Sequence, residues 1–297
     1  MNGQAEPRPG GRAILSLLIL SGIVGLNTVD RNMFGLLLPQ IQQDIAISDA
    51  APGLLVGPAF MIVYSVAGLP LAWLADRTRR RTIVTVGLAL WSVVTLLTGF
   101  AQNLTQLLIA RMALGAGEAS NMAPTSALIG DLFRGRYRVI AMAVFAAGGP
   151  LAIMIFFPLI GAVTADHGWR AAYPLMGAIG LLVALLTLLL VPEPPRESPL
   201  SSPHEHDPEG MFLAALTVLR TPGFVLLAVA GTMISINLGA VLAWLPTFMQ
   251  RVHGLDAQQT GALLGLYKGG FGVAATLAAG VVVTFLMRHS RRWLCWA

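Results

Sequence analysis

"AILSLLILSGIVGLNTVDRNMFGLLLP" (13–39) is long and apolar enough to cross a bilayer, yet it holds Asp30 and Arg31 side by side. A spanning helix needs about 20 apolar residues, and ionisable groups inside one are costly to keep. The same texture extends over the rest of the chain. Of 297 residues 56% are hydrophobic and 11% charged, whereas soluble domains carry about 25% charged residues. No globular core of this length uses so much apolar material, so the sequence predicts an all-α integral membrane protein. The net charge of +5 does not point to nucleic acid, because the arginines stand in short clusters between apolar runs.

Eight spans are expected, at 13–39, 53–75, 82–101, 104–129, 139–163, 171–191, 223–247 and 260–287. The first outruns the apolar core of a signal peptide and has no clear cleavage site, so it is expected to stay uncleaved. Arginines set the orientation. One side holds Arg8, Arg12, Arg77, Arg79, Arg80, Arg81, Arg134, Arg136, Arg138, Arg196, Arg220, Arg288, Arg291 and Arg292; the other holds Arg170 and Arg251. Fourteen against two puts the arginine-rich side, and both termini, in the cytoplasm. A multi-pass protein of the plasma (inner) membrane is expected. The lone Cys295 excludes a disulfide framework.

"PEPPRESPLSSPHEHDPEG" (192–210) is too rich in proline and charge to span, and "MFLAALTVLR" (211–220) follows as a short amphipathic helix. The domains expected are a six-helix transmembrane bundle (1–191), a cytoplasmic linker (192–222) and a two-helix start of a second bundle (223–297).

Neighbouring helix positions differ by about 100°, so Asp30 and Arg31 cannot point the same way and each must find partners elsewhere. They could lock helices together, or mark a transport route or proton relay. The fourth span, "LLIARMALGAGEAS" (107–120), offers counterparts. Arg111 and Glu118 fall nearly on one face, about 10 Å apart along the axis, and Gly115 and Gly117 between them allow close helix approach. Burial disfavours the charged form of a carboxyl group, a property that a proton carrier needs. At the end of span two, "LAWLADRTRRRTI" (71–83) holds Asp76 with Arg77 and Arg81. A plain positive-inside stop accounts for the arginines but not for the acid, and an interhelix charge lock accounts for both.

"AWLADRTRRR" resembles G-x-L-A-D-R-x-G-R-R, the signature loop of the major facilitator superfamily, with Ala72 and Arg79 in place of its two glycines. "LNTVDRNMFGLLLPQIQQDI", "RMALGAGEAS", "LIGDLF", "HGWRAAY", "VPEPPR" and "AWLPTFMQRVHGL" bring the chain close to the spinster-like branch. The resemblance implies a twelve-helix transporter of two related halves, of which this chain carries the complete N-terminal six-helix bundle and two helices of the second. It implies protonation at Asp30 and Glu118, Arg31 and Arg111 as substrate-holding or tuning residues, and gating by Asp76, Arg77 and Arg81. It also implies cargo such as lysophospholipids or other amphiphiles, usually moved with protons.

"LMRHSRRW" (286–293) echoes "ADRTRRRT" (75–82), with Met287 where Asp76 stands, as a second half cut short would show. Such a chain is expected to insert without transporting alone, and to dimerise or take a partner that supplies the missing half. "AAGGPLAIMIFFPLIG" (146–161) is similar to the glycine-proline motif of helix five in exporters, although helix packing alone explains it. Lys268, in "GLYKGGFG", could attract an anionic head group or snorkel to water. "HEH" (204–206) lacks further ligands, so no metal is expected, and no cofactor. No catalytic constellation is present, which disfavours an enzyme. The function expected is proton-coupled transport of an amphiphilic or lysolipid-like solute by alternating access. The alternatives are an organic-anion or drug transporter of the same superfamily and a non-transporting membrane fragment.

Overall fold

The computed structural model describes residues 9–45, 47, 53–55, 57–193 and 217–289. Its long elements are helices: α1 (Gly11–Ile45), α2 (Pro58–Arg77), α3 (Arg80–Thr98), α4 (Leu104–Glu118), α5 (Met122–Leu132), α6 (Gly135–His167), α7 (Trp169–Leu190), α8 (Pro222–His253), α9 (Ala257–Leu264) and α10 (Phe271–His289). A wide π-helical turn, Gly265–Gly270, joins the last two. Seven helical stretches among the described residues are long and apolar enough to cross a membrane. Large apolar side chains such as Leu69, Leu189 and Leu226 stand exposed on them, as lipid-facing side chains do.

The sequence predicts eight spans, and the difference lies at 104–129. There α4 closes at Glu118 and α5 opens at Met122. Across the junction the amides of Ser120 and Asn121 reach back three residues rather than four, to the carbonyls of Gly117 and Glu118 at 3.2 and 3.1 Å. Pro124 gives the reason. It has no N–H to return to the carbonyl of residue 120, and it sits in the first turn of the helix that restarts at Met122. The result is two short helices in place of one long one.

Local chemistry sets other boundaries. Asn103 caps α4 by accepting from the Gln106 amide at 3.0 Å, and Asp256 with Gln259 forms a capping box at the start of α9. Gly168, at φ +77°, both ends α6 and begins α7, a backbone turn that a side chain would strain.

Contacts divide the chain into two units, residues 1–193 with 246–297, and residues 194–245. In the second unit the described residues are 217–245, helical at 217–219 and again from Pro222, and mostly exposed. In the first, α1 packs most extensively on α6, and α3 on α7. Without a hydrophobic drive between helices in lipid, close approach depends on small residues. A Cβ on Gly25 of α1 would sit 2.7 Å from the Ala152 Cβ of α6. The two glycines singled out in α4 behave as expected: a Cβ on Gly115 would lie 2.6 Å from the Phe60 carbonyl of α2, and one on Gly117 2.8 Å from the Trp91 Cβ of α3. Thus α4 is seated between α2 and α3, which places its charges against α1. Residues 246–253 of α8 also join α1, through Thr247 to the Gly35 carbonyl (3.3 Å) and Gln250 to the Leu36 carbonyl (2.8 Å).

Candidate functional site

Four charged side chains meet inside the first unit. From α1, Arg31 donates through Nε to Oε2 of Glu118 on α4 at 2.8 Å. The same oxygen accepts from Asn27 Nδ2, one helical turn before Arg31, at 2.7 Å. Glu118 is almost wholly enclosed, at 1% exposure. The Arg31 guanidinium lies 4.6 Å from the ring centre of Tyr64 and 4.9 Å from that of Phe60, both on α2. Aromatic faces attract a cation most strongly where water is scarce. Three helices therefore define the position of one charge.

Asp30 turns the other way, as adjacency on a helix demands. Its Oδ2 accepts from Thr95 Oγ1 of α3 at 3.1 Å. Arg111, on the buried face of α4, stacks over Phe34 of α1 at 4.4 Å. It lies within electrostatic reach of Asp30, Glu118 and Tyr173. Its Nε and Nη2 are buried without a hydrogen-bond partner among the described residues. Chemically, this is a cluster of two acids and two arginines in which one acid is ion-paired and the other is held by a neutral hydroxyl.

The arginine-rich ends form a second group. Arg80 bonds Asp131 of α5 at 2.6 Å. The backbone amides of Arg80 and Arg81 donate to the two carboxylate oxygens of Glu193 at 2.9 and 2.8 Å, and Arg81 Nη1 reaches the Val191 carbonyl at 3.2 Å. Glu193 thereby satisfies the free amides at the start of α3. Arg77 points elsewhere, stacked 3.8 Å over Trp73. The structure thus sends Arg77 and Arg81 to different partners, and the side chain of Asp76 lies outside its described part. His204, His206, Arg291 and Arg292 also lie outside it, as do the side chains of Met287 and Arg288. At the opposite end Asp44 pairs with Arg170 and accepts from Trp169 Nε1 at 3.0 Å, tying α1 to α7.

All four charged residues proposed from sequence for the buried cluster are brought together. Their neutral partners Asn27, Tyr64 and Thr95 were missed, as were Glu193 and Asp131. A signal existed for some. Asn27 lies four residues before Arg31, on the same helical face, and Glu193 and Asp131 lie within "VPEPPR" and "LIGDLF". Nothing in the sequence marks Thr95.

Two intramembrane acids facing two arginines across α1 and α4 form an arrangement that can be compared with known proteins. Residues 20–297 match the Major Facilitator Superfamily over most of the chain. The chain belongs to that superfamily. It is 31% identical to an MFS-type efflux pump of Mycolicibacterium smegmatis, over 96% of this chain and 66% of that one. It is also 31% identical to protein spinster homolog 1 of Xenopus laevis, over 81% of this chain and 46% of that one. The fold agrees with the crystal structure of a bacterial homolog of the human lysosomal transporter Spinster, inward-facing and unoccupied. The TM-score is 0.75 at 24% identity, covering 91% of this chain and 61% of that one. Within the superfamily the chain is similar to spinster proteins, and it spans about half to two thirds of the length of these relatives.

Proposed function

We propose that this chain contributes to a proton-coupled secondary transporter that moves an amphiphilic, lysolipid-like solute by alternating access. The observation that carries the reading is the pair of enclosed acids, Asp30 and Glu118, set against Arg31 and Arg111. Protonation of Glu118 removes the charge that holds Arg31, freeing α1 from α4. Loss of the proton restores the pair. Asp30, which accepts from the Thr95 hydroxyl and has no ion pair among the described residues, is a second place for the proton. Coupling follows when cargo and proton compete for the same arginines, because a ligand shifts a two-state equilibrium only through a difference in its affinity for the two states. Asp76, Arg77 and Arg81 serve the inner gate, joined there by Glu193 and Asp131. In this reading residues 1–191 form the first half of the transporter and 223–297 the start of the second. Both termini face the cytoplasm, and the protein resides in the plasma (inner) membrane.

A second reading keeps the mechanism and changes the cargo to organic anions or drugs. The likeness to the mycobacterial efflux pump over 96% of the chain favours it. Both readings are tested in proteoliposomes, in a form carrying a complete second half. An imposed pH gradient should drive uptake of labelled lysophospholipid, with dissipation of the gradient abolishing it. Glu118→Gln and Asp30→Asn should each remove that dependence while the protein stays folded. Uptake indifferent to the gradient, or unaltered pH dependence in both variants, overturns the assignment.

A further inference from the structure

Among the described residues of the last apolar span, Ala257–Val282, Lys268 is the only charged one, and the cluster above does not use it. It lies in the π-helical turn Gly265–Gly270, half-buried, and the small residues beside it fix its place. A Cβ on Gly269 would fall 2.5 Å from the Met154 amide nitrogen, and one on Gly265 2.8 Å from Pro158, so the turn is pressed against α6. From there the Lys268 ammonium donates to Asn32 Oδ1 on α1 at 2.8 Å, with the ring of Phe157 at 6.0 Å. Asn32 is itself oriented, because its Nδ2 donates to the Thr28 carbonyl at 2.7 Å and leaves the amide oxygen for the lysine.

The charges around it differ in one respect. Arg31 is neutralised by Glu118, and Arg111 is enclosed at 5% exposure in the field of both acids. Lys268 has no carboxylate partner among the described residues, only a neutral amide. An ammonium has three donors, and the structure shows one of them engaged by a side chain. A cation held at membrane depth by neutral groups, with donors to spare and partial access, is suited to an incoming anion.

We infer that Lys268 is the recognition point for an anionic head group of the cargo, a phosphate or a carboxylate, with Asn32 as its positioning residue. This rests on the transport reading above and narrows its substrate class: beside the arginines of α1 and α4, for which cargo and proton compete, the lysine selects the charge of the head group. The π-helical turn has a role in this arrangement. Its wider winding changes the direction in which the lysine leaves the helix, and such turns are frequent at functional sites.

The experiment compares binding of lysophosphatidylglycerol, lysophosphatidylcholine and a fatty acid of equal chain length to the purified chain in nanodiscs. The unaltered chain should bind the two anionic lipids about tenfold more tightly than the zwitterionic one, the scale of a charge-assisted hydrogen bond. Lys268→Gln should erase that preference and leave lysophosphatidylcholine unchanged, whereas Lys268→Arg should keep it. Asn32→Asp is a second route that leaves the lysine in place. A carboxylate beside the ammonium should occupy it and remove the preference equally, which decides the matter if Lys268→Gln does not fold. A preference for one anionic lipid alone assigns the site to phosphate or to carboxylate. Undiminished preference in folded Lys268→Gln or Asn32→Asp overturns the inference and leaves the transport reading standing. Binding of none of the lipids by the unaltered chain overturns the lysolipid reading, and the inference with it.

Discussion

Oε2 of Glu118 accepts from two donors at once, Asn27 and Arg31, and this shared oxygen makes the ion pair a stability element as well as a candidate switch. Removing one member of a buried pair leaves the other charge without compensation, which costs about 3 kcal/mol, while removing both is often near neutral. Arg31→Gln is therefore expected to lower the melting temperature in detergent more than the double variant Arg31→Gln/Glu118→Gln. A double variant that melts below Arg31→Gln would show that the pair does not act as a unit. At this scale the charges were legible in the sequence and most of their partners were not. Asp30 and Arg31 stand out because their neighbours are apolar. Thr95 does not, because a threonine inside a span usually bonds its own helix, as Thr98 does with the Val94 carbonyl. Only the folded structure, through the hydrogen bond from α3 to α1, shows that Thr95 serves Asp30.

Among the helices, the tight contacts sort glycines that look alike in sequence. Gly22 and Gly25 lie one turn apart on α1. A Cβ on Gly22 meets nothing within 4 Å, whereas one on Gly25 meets Ala152 and, at 2.9 Å, the Gly148 carbonyl. Overpacking typically costs about 1–3 kcal/mol, and relieving a helical glycine gains up to about 1 kcal/mol. Gly25→Ala should therefore lower thermal stability and Gly22→Ala should hold or raise it, by melting in one detergent. Equal effects would mean that α1 and α6 adjust freely. The break between α4 and α5 was readable in principle from Pro124. Hydropathy hid it, since the apolar run continues across the junction and length alone suggested one span. The π-helical turn had no such marker, because it follows from how α9 and α10 seat against α6.

For the whole chain, the all-α membrane architecture was legible because it depends on a sum, the length of the apolar runs. The grouping of residues 246–297 with residues 1–193 was not, since composition marks the proline-rich linker but says nothing about which side chains bind across it. Thr247 and Gln250 make those bonds to carbonyls of α1. The orientation is tested by labelling. After Cys295→Ala, a cysteine at Gln258 should react with an impermeant maleimide applied to intact right-side-out vesicles, and one at Arg79 only after permeabilisation. The reverse pattern would invert the topology.

The balance within the buried cluster has an electrical consequence. With both acids ionised, Asp30, Arg31, Arg111 and Glu118 sum to zero, and a proton on either acid makes the group singly positive. Lys268 adds one more positive charge, which an anionic cargo cancels. Each elementary charge carried across the membrane potential is worth about 2.3 kcal/mol per 100 mV. The resident charges return with the protein, so in the proposed cycle one proton carried with one anion moves no net charge, whereas one proton carried with a zwitterion moves one positive charge and draws a current whose rate follows voltage. On solid-supported membranes, anionic lysolipid should evoke a current smaller than a zwitterionic analogue does at equal flux. Identical currents per molecule moved would mean that head-group charge does not enter the electrical balance of the cycle.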